Sequence, residues 1–187
     1  MNEALQTLIS RHSLGVRHLR EPGPGDAELA LMAEAALHAP DHGERVPFRF
    51  RVVRGAARER LGALFAQAAR DAGKNEADIA IEAERAASAP ITVALVARID
   101  HGDPLVPAHE QWVAVGGALA NFLTAAHALG YAGKMLSGAK VRHPVLQAAF
   151  CDAGEILVGW VVLGTATRPP STRAPKAAPA AIWKDWT

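Results

Sequence analysis

The sequence predicts an α+β or α/β sandwich in which helices cover a central sheet of four or five strands. Three observations point there. Half of the 187 residues are apolar but only 5% are aromatic, so the chain can build one core, made mainly of Ala, Val, Leu and Ile. Two apolar runs, ITVALVA at 91–97 and EILVGWVVLGT at 155–165, have the length and continuity of strands covered on both faces. Amphipathic helical segments separate the strand candidates, so the strands are joined by long crossovers.

The elements follow in order. Residues 3–10 read as a helix with Leu5, Leu8 and Ile9 on one face. Pro22-Gly23-Pro24-Gly25 is a turn, and Asp26 is a suitable N-cap for the next helix. In that helix Leu29, Met32, Ala33, Ala36 and Leu37 fall on one stripe, and Pro40 ends it. Phe48, Phe50 and Val52 alternate with Arg49 and Arg51, the period of a half-buried strand. Helices are expected at 56–72, with Leu61, Leu64, Phe65 and Ala68 inward, and again up to about Ala87. Pro90 introduces the first apolar strand. A loop at 101–111 leads into a long helix that Gly130 can cap, then a short strand at 131–136, a helix at 142–150 and the second apolar strand. The tail from Arg168, rich in Pro and Ala, reads as an extended arm, and the chain carries no internal repeat.

Several function classes lose support. Twenty basic against 19 acidic residues leave a formal charge of +1, too little to gather nucleic acid or an anionic membrane. The lone Cys151 cannot form an internal disulfide, which fits a reducing, cytoplasmic compartment. The Met-Asn-Glu start lacks a basic-then-apolar leader. The segment from Trp112 to Gly133 has no acidic or basic side chain apart from His127. Its Ala and Gly content, with Asn121, Thr124 and His127, suits a helix packed on all sides better than one in lipid. The small residues Ala114, Gly117, Ala118 and Ala125 allow close approach of another helix, across a dimer interface or within one subunit. There is no G-x-G-x-x-G, phosphate loop, G-x-S-x-G, H-E-x-x-H or C-x-x-C. His38 and His42 are four apart, but Pro40 between them makes a loop rather than a helical metal pair. The cluster RHSLGVRHLR at 11–20 is either a solvated basic face or an anion pocket, in which Arg forks and a Ser hydroxyl hold phosphate oxygens. Cys151 and Met135 read more readily as core than as catalytic residues.

Five segments then stand in a familiar order and spacing: RHS at 11–13, APDHGERVPF at 39–48, VPAHEQ at 106–111, AAHALGYAGKMLSG at 125–138 and VVLGT at 161–165. Together they resemble the nitroreductase superfamily, closest to its small single-domain NAD(P)H nitroreductases, over nearly the whole chain. The resemblance implies one FMN-binding α+β domain over 1–187, with a mostly antiparallel sheet of four to five strands flanked by helices and a C-terminal arm from about 168. It also implies a homodimer with the flavin at the subunit interface. By the same resemblance, Arg11, His12 and Ser13 hold the FMN phosphate and ribityl chain. His38 and His42 lie in the segment that reaches the flavin from the partner subunit. Met135, Leu136, Ser137 and Gly138 lie against the isoalloxazine, the last two offering backbone N–H groups, and Arg173 adds a phosphate contact.

The implied activity is hydride transfer from NAD(P)H through FMN to nitroaromatic, quinone or similar electron-poor acceptors, by a ping-pong route with no side-chain acid or base assigned. Many relatives have Trp and a polar residue where this chain has Met135 and Leu136, and Gln-Pro-Trp where it has Val46-Pro47-Phe48, which makes this pocket less polar. Other readings stay open at this stage: a dehydrogenase, enone reductase or flavin reductase on the same scaffold, a non-catalytic flavin-binding sensor, or a helical interaction module.

Overall fold

The computed structural model describes residues 2–169 and 176–186. In chain order its elements are α1 (Glu3–Ser10), β1 (Leu19–Arg20), α2 (Asp26–Leu37), β2 (Phe48–Val53), α3 (Ala57–Asp71), α4 (Glu76–Ala87), β3 (Ile91–Ala97), α5 (Ala108–Ala128), β4 (Ala132–Leu136), α6 (Pro144–Phe150) and β5 (Ile156–Ala166). All strand pairs are antiparallel. β5 is central, with β3 and then β2 on one side and β4 and β1 sharing its other edge. The class is α+β with a five-stranded sheet, as the sequence predicts.

The alternation of a strand divides β3 between two cores. Val93, Leu95 and Ala97 face α2 and α5, where they meet Met32, Ala36, Val115, Ala118 and Phe122. Ala94 and Val96 face the other way, toward Leu61, Ala68, Leu146, Phe150 and Trp160. Helices therefore cover both sides of the sheet, and every residue of β3 is buried. Each large apolar side chain so buried contributes ~1.5–3 kcal/mol, which is how a core poor in aromatics holds together. Phe122 stacks on Phe50 at 4.4 Å between centroids, and Phe65 packs edge-on to Trp160 at 5.0 Å.

Local chemistry sets the helix ends. The Asn2 and Asn75 side chains accept from the N–H groups of Ala4 and Asp78 at 2.8 and 2.9 Å. Asp26 is not the N-cap of α2. Gly25 takes that place, its N–H donating to the Glu28 carboxylate at 3.0 Å, and Asp26 is drawn to Arg54 at 2.6 Å. Gly130 and Tyr131 close α5 by donating to the carbonyls of His127 and Ala126 at 3.0 and 2.9 Å. Near the start of α5 the buried Gln111 donates to the carbonyls of Asp100 and Val106 and accepts from the Asp100 N–H, each at 2.8 Å. A fully buried amide with three partners clamps the 100–106 loop.

One packing alternative is decided and two expectations need correction. The small-residue face of α5 is used inside the subunit: Ala114 and Ala118 are buried, and a Cβ on Gly117 would sit 3.1 Å from the Ala39 Cβ. Leu37 and Val52, expected inward, are exposed: Leu37 is the last residue of α2, and in β2 the following residue, Val53, is the buried one. Leu5, Leu8 and Ile9 share a face of α1, yet that face is 52–67% exposed rather than packed. α5 shows a second apolar stripe, with Trp112, Val113, Gly116 and Ala120 exposed. No helix among the described residues is long and apolar enough to cross a membrane.

Candidate functional site

Where α1 ends, the backbone of Arg11 turns extended and the chain runs onto β4, with the Leu14 N–H donating to the Gly133 carbonyl at 3.1 Å. The buried Leu14 anchors this crossing against Val162 and Ala132. Arg11 and His12 thereby border a cavity of about 160 Å³ whose other walls include His127, Tyr131, Gly133 and Arg168. Its lining holds two arginines, two histidines and no carboxylate. Arg11 makes no side-chain hydrogen bond or ion pair among the described residues, so its five donors remain for a ligand. His127 Nε2 lies 2.9 Å from Ser10 Oγ, and His12 Nδ1 lies 3.2 Å from the Ser10 carbonyl. Burial first, then the neighbouring His12 and Arg11, holds the His127 imidazole below its ordinary value. Such a pocket is suited to an anion.

The far end of β4 carries a different chemistry. Ser137 Oγ donates to the Val158 carbonyl at 2.9 Å, at the point where β5 bulges between its pairings with Leu95 and Val96. Gly159, next in the bulge, has φ +155, and a Cβ there would meet the Leu136 carbonyl oxygen at 2.3 Å, so only glycine fits. Gly138 has φ +128 and turns the chain into the short helical turn Ala139–Arg142. Among the described residues neither the Ser137 nor the Gly138 N–H donates a hydrogen bond. From Ala132, beside the cationic cavity, to Ser137 is five strand residues, ~16 Å at 3.3 Å each. The site is thus a strand with positive charge at one end and unpaired N–H donors at the other.

Met135 and Leu136 do not present their side chains together. Adjacent residues of a strand point to opposite faces, so Met135 packs toward the α5 core while Leu136 faces the other way. Leu136 and Ser137 line a second cavity, of about 250 Å³, with Phe65, Arg85, Lys140 and Trp160 among its walls. Lys140 sits over the Phe65 ring and pairs with Glu82, which also holds Lys74 at 2.7 Å. Hydrogen bonds from Lys140 and then Lys74 pull the Glu82 carboxyl down to about 2.

His38 and His42 are not brought to Arg11. His38 ends α2, and His42 Nδ1 pairs with Glu110 at 2.8 Å near the start of α5, whereas His127 lies at its end. Seventeen helical steps separate Glu110 from His127, ~26 Å at 1.5 Å each. The intervening loop is fixed by the Val46 N–H donating to Asp41 at 2.7 Å, and Glu44 and Val46 are held at φ +52 and +47. A β-branched residue at positive φ is an uncommon, strained conformation. His38 and His42 join no metal cluster, since no group of three or more His, Cys, Asp or Glu side chains converges among the described residues.

Of the other residues singled out, Ser13 is exposed beside the cavity. Arg173 lies outside the described residues. Cys151 packs against the core of α3 and α6, and burial, ahead of Glu155, pushes its thiol up. Sequence reasoning did not single out His127 and Arg168, which border the first cavity, or Arg85, which borders the second. The first two meet Arg11 only because β4 and β5 run side by side and α5 ends above them. A basic residue just after a buried strand, as Arg168 is, was the one available signal.

A profile of the nitroreductase family matches residues 8–165 of this chain. Escherichia coli (strain K12) YdjA, named by inference as an NAD(P)H nitroreductase, is 36% identical over 173 residues, spanning 91% of this chain and 92% of that protein. Among solved structures, a nitroreductase-like family protein from Bacillus cereus has a TM-score of 0.83 at 18% identity, over 100% of this chain and 97% of that one. The FMN-dependent nitroreductase NfnB from Mycobacterium smegmatis, solved with NADPH, has a TM-score of 0.78 at 18% identity over 99% of each chain. At such identities the last two likenesses speak for the fold alone.

Proposed function

The chain belongs to the nitroreductase family, and from that premise we propose that it is an FMN-dependent oxidoreductase taking hydride from NAD(P)H and passing it to nitroaromatic, quinone or similar electron-poor acceptors. The observation that carries this reading is the two-ended strand β4: Arg11, His12, His127 and Arg168 around a cavity at one end, and unpaired N–H groups on Ser137 and Gly138 about 16 Å along. FMN has the matching form, a phosphate joined by a linear chain to a flat ring with a polar edge, so the residues present fit the cofactor.

Bound there, FMN supplies the hydride-accepting and hydride-donating chemistry that no side chain provides. Arg11, His12, Ser13 and Arg168 hold the phosphate by charge-assisted hydrogen bonds. Ser137 and Gly138 hold the ring edge through N–H groups whose direction the bulge at Gly159 fixes, and such donors favour the negative charge of a reduced ring. Arg173, with Met135 and Leu136 on opposite faces of β4, completes the set carried over from the family resemblance.

The separation of His42 from the cavity along α5 supports a homodimer. A loop ~26 Å away along α5 joins the site only from a second copy, and the exposed stripes of α1 and α5 give that copy an apolar surface to meet. The whole of 1–187 then acts as one flavin-binding domain, in the cytoplasm, where a lone cysteine stays reduced.

Steady-state turnover of NADH and NADPH against nitroaromatics, quinones and enones tests the reading. Parallel double-reciprocal lines with nitroaromatics or quinones are expected. FMN-loaded protein that turns over enones alone would move it to an enone reductase, and one that turns over none of them would make it a flavin-binding sensor.

A further inference from the structure

We propose that His127 is a proton-coupled member of the anion pocket: it takes up a proton from solvent as a phosphate monoester enters the cavity beside Arg11 and Arg168. This role presupposes that the cavity is the FMN phosphate subsite, and it adds to that reading a residue and a linkage outside the family pattern described above.

The geometry makes both protonation states of His127 viable. Its Nε2 is 2.9 Å from Ser10 Oγ, and the same hydroxyl lies 3.4 Å from the Thr7 carbonyl. A neutral His127 accepts from the Ser10 hydroxyl. A protonated one donates to Ser10 Oγ, whose hydrogen turns to Thr7, so nothing has to be repacked. The charged and titratable groups facing His127 are Arg11 and His12 from the segment after α1, Tyr131 from the turn before β4, and Arg168 from the end of β5. The cavity lining adds no carboxylate to balance them. Without an anion, burial and then the adjacent His12 and Arg11 bias the imidazole toward its neutral form. A phosphate dianion offsets the charge of the two arginines, adds an acceptor beside the ring and so favours the imidazolium. The two arginines stay charged throughout, and His127 has in Ser10 a partner that accommodates both of its states. The C-terminal end of α5, where His127 sits, also favours a cation.

The test is calorimetric titration of the apoprotein with FMN and with riboflavin near pH 7, in buffers of different ionisation enthalpy, which counts protons taken up. The expected result is net uptake with FMN and none with riboflavin. H127Q should lose that uptake and bind FMN roughly ten-fold more weakly, with riboflavin affinity unchanged. H127K, charged in both states, should recover FMN affinity without recovering the uptake. FMN binding with the same uptake and affinity in wild type and H127Q would overturn the role of His127 and leave the phosphate pocket standing. Wild-type apoprotein that does not discriminate FMN from riboflavin would remove the pocket and the proposal together.

Discussion

Replacing Arg11 with alanine separates its proposed role as phosphate anchor from any role in the fold. Arg11 makes no side-chain hydrogen bond or ion pair among the described residues, so its removal should change stability by no more than about 0.5 kcal/mol. Of the two permanently charged groups on the cavity it is one, Arg168 being the other. A hydrogen bond to a charged partner is worth ~1.5–3 kcal/mol, and each ~1.4 kcal/mol is ten-fold in affinity. R11A should therefore weaken FMN binding by about ten- to a hundred-fold. Quenching of flavin fluorescence by the apoprotein gives the dissociation constant. Riboflavin, which lacks the phosphate, is the control and should bind the two proteins alike. An FMN affinity unchanged in R11A, or a loss shared equally by riboflavin, would refute the placement of the phosphate.

Other consequences follow from the packing and charges. G159A should cost about 2–4 kcal/mol in denaturant unfolding, because its Cβ has no room beside the Leu136 carbonyl; a normal midpoint would mean the bulge is adjustable. G117L should destabilise by about 1–3 kcal/mol through the Ala39 contact inside the subunit, and wild-type stability would show that α2 and α5 are loosely packed. V113E should leave secondary structure intact but give a monomer by light scattering that retains less FMN, whereas an undisturbed dimer would place the interface elsewhere. Arg49 holds the Glu155 carboxyl at about 2, against an ordinary value of 4.5. The stability Glu155 adds is thus fully present above that ordinary value and is lost as pH falls through about 2. E155Q should accordingly flatten the acid side of the stability curve, and an unaltered acid side would show the pair contributes little.

What the sequence made legible and what it hid have different physical origins. The apolar run at 91–97 announced a strand buried on both faces because both cores need it, and every one of its residues is buried. The stripe of Met32 and Ala36 was equally readable, since helical period alone selects it. The α1 face of Leu5, Leu8 and Ile9 looked the same on paper but lies open, because periodicity reports a face that wants cover and not what covers it. Arg11 was visible as part of a basic cluster. His127 and Arg168 were not, since they come from elements 116 and 157 positions further on that only the sheet order brings alongside. The opposite-facing side chains of Met135 and Leu136 were implicit in the period of a strand, yet the family likeness had grouped them.

The most direct measurement is the absorbance spectrum of purified protein after incubation with FMN and removal of free flavin, followed by anaerobic addition of NAD(P)H. Retained flavin bands that bleach on addition are predicted. A colourless protein, or one whose bound flavin keeps its oxidised spectrum with both NADH and NADPH, would contradict the assignment as a flavin oxidoreductase.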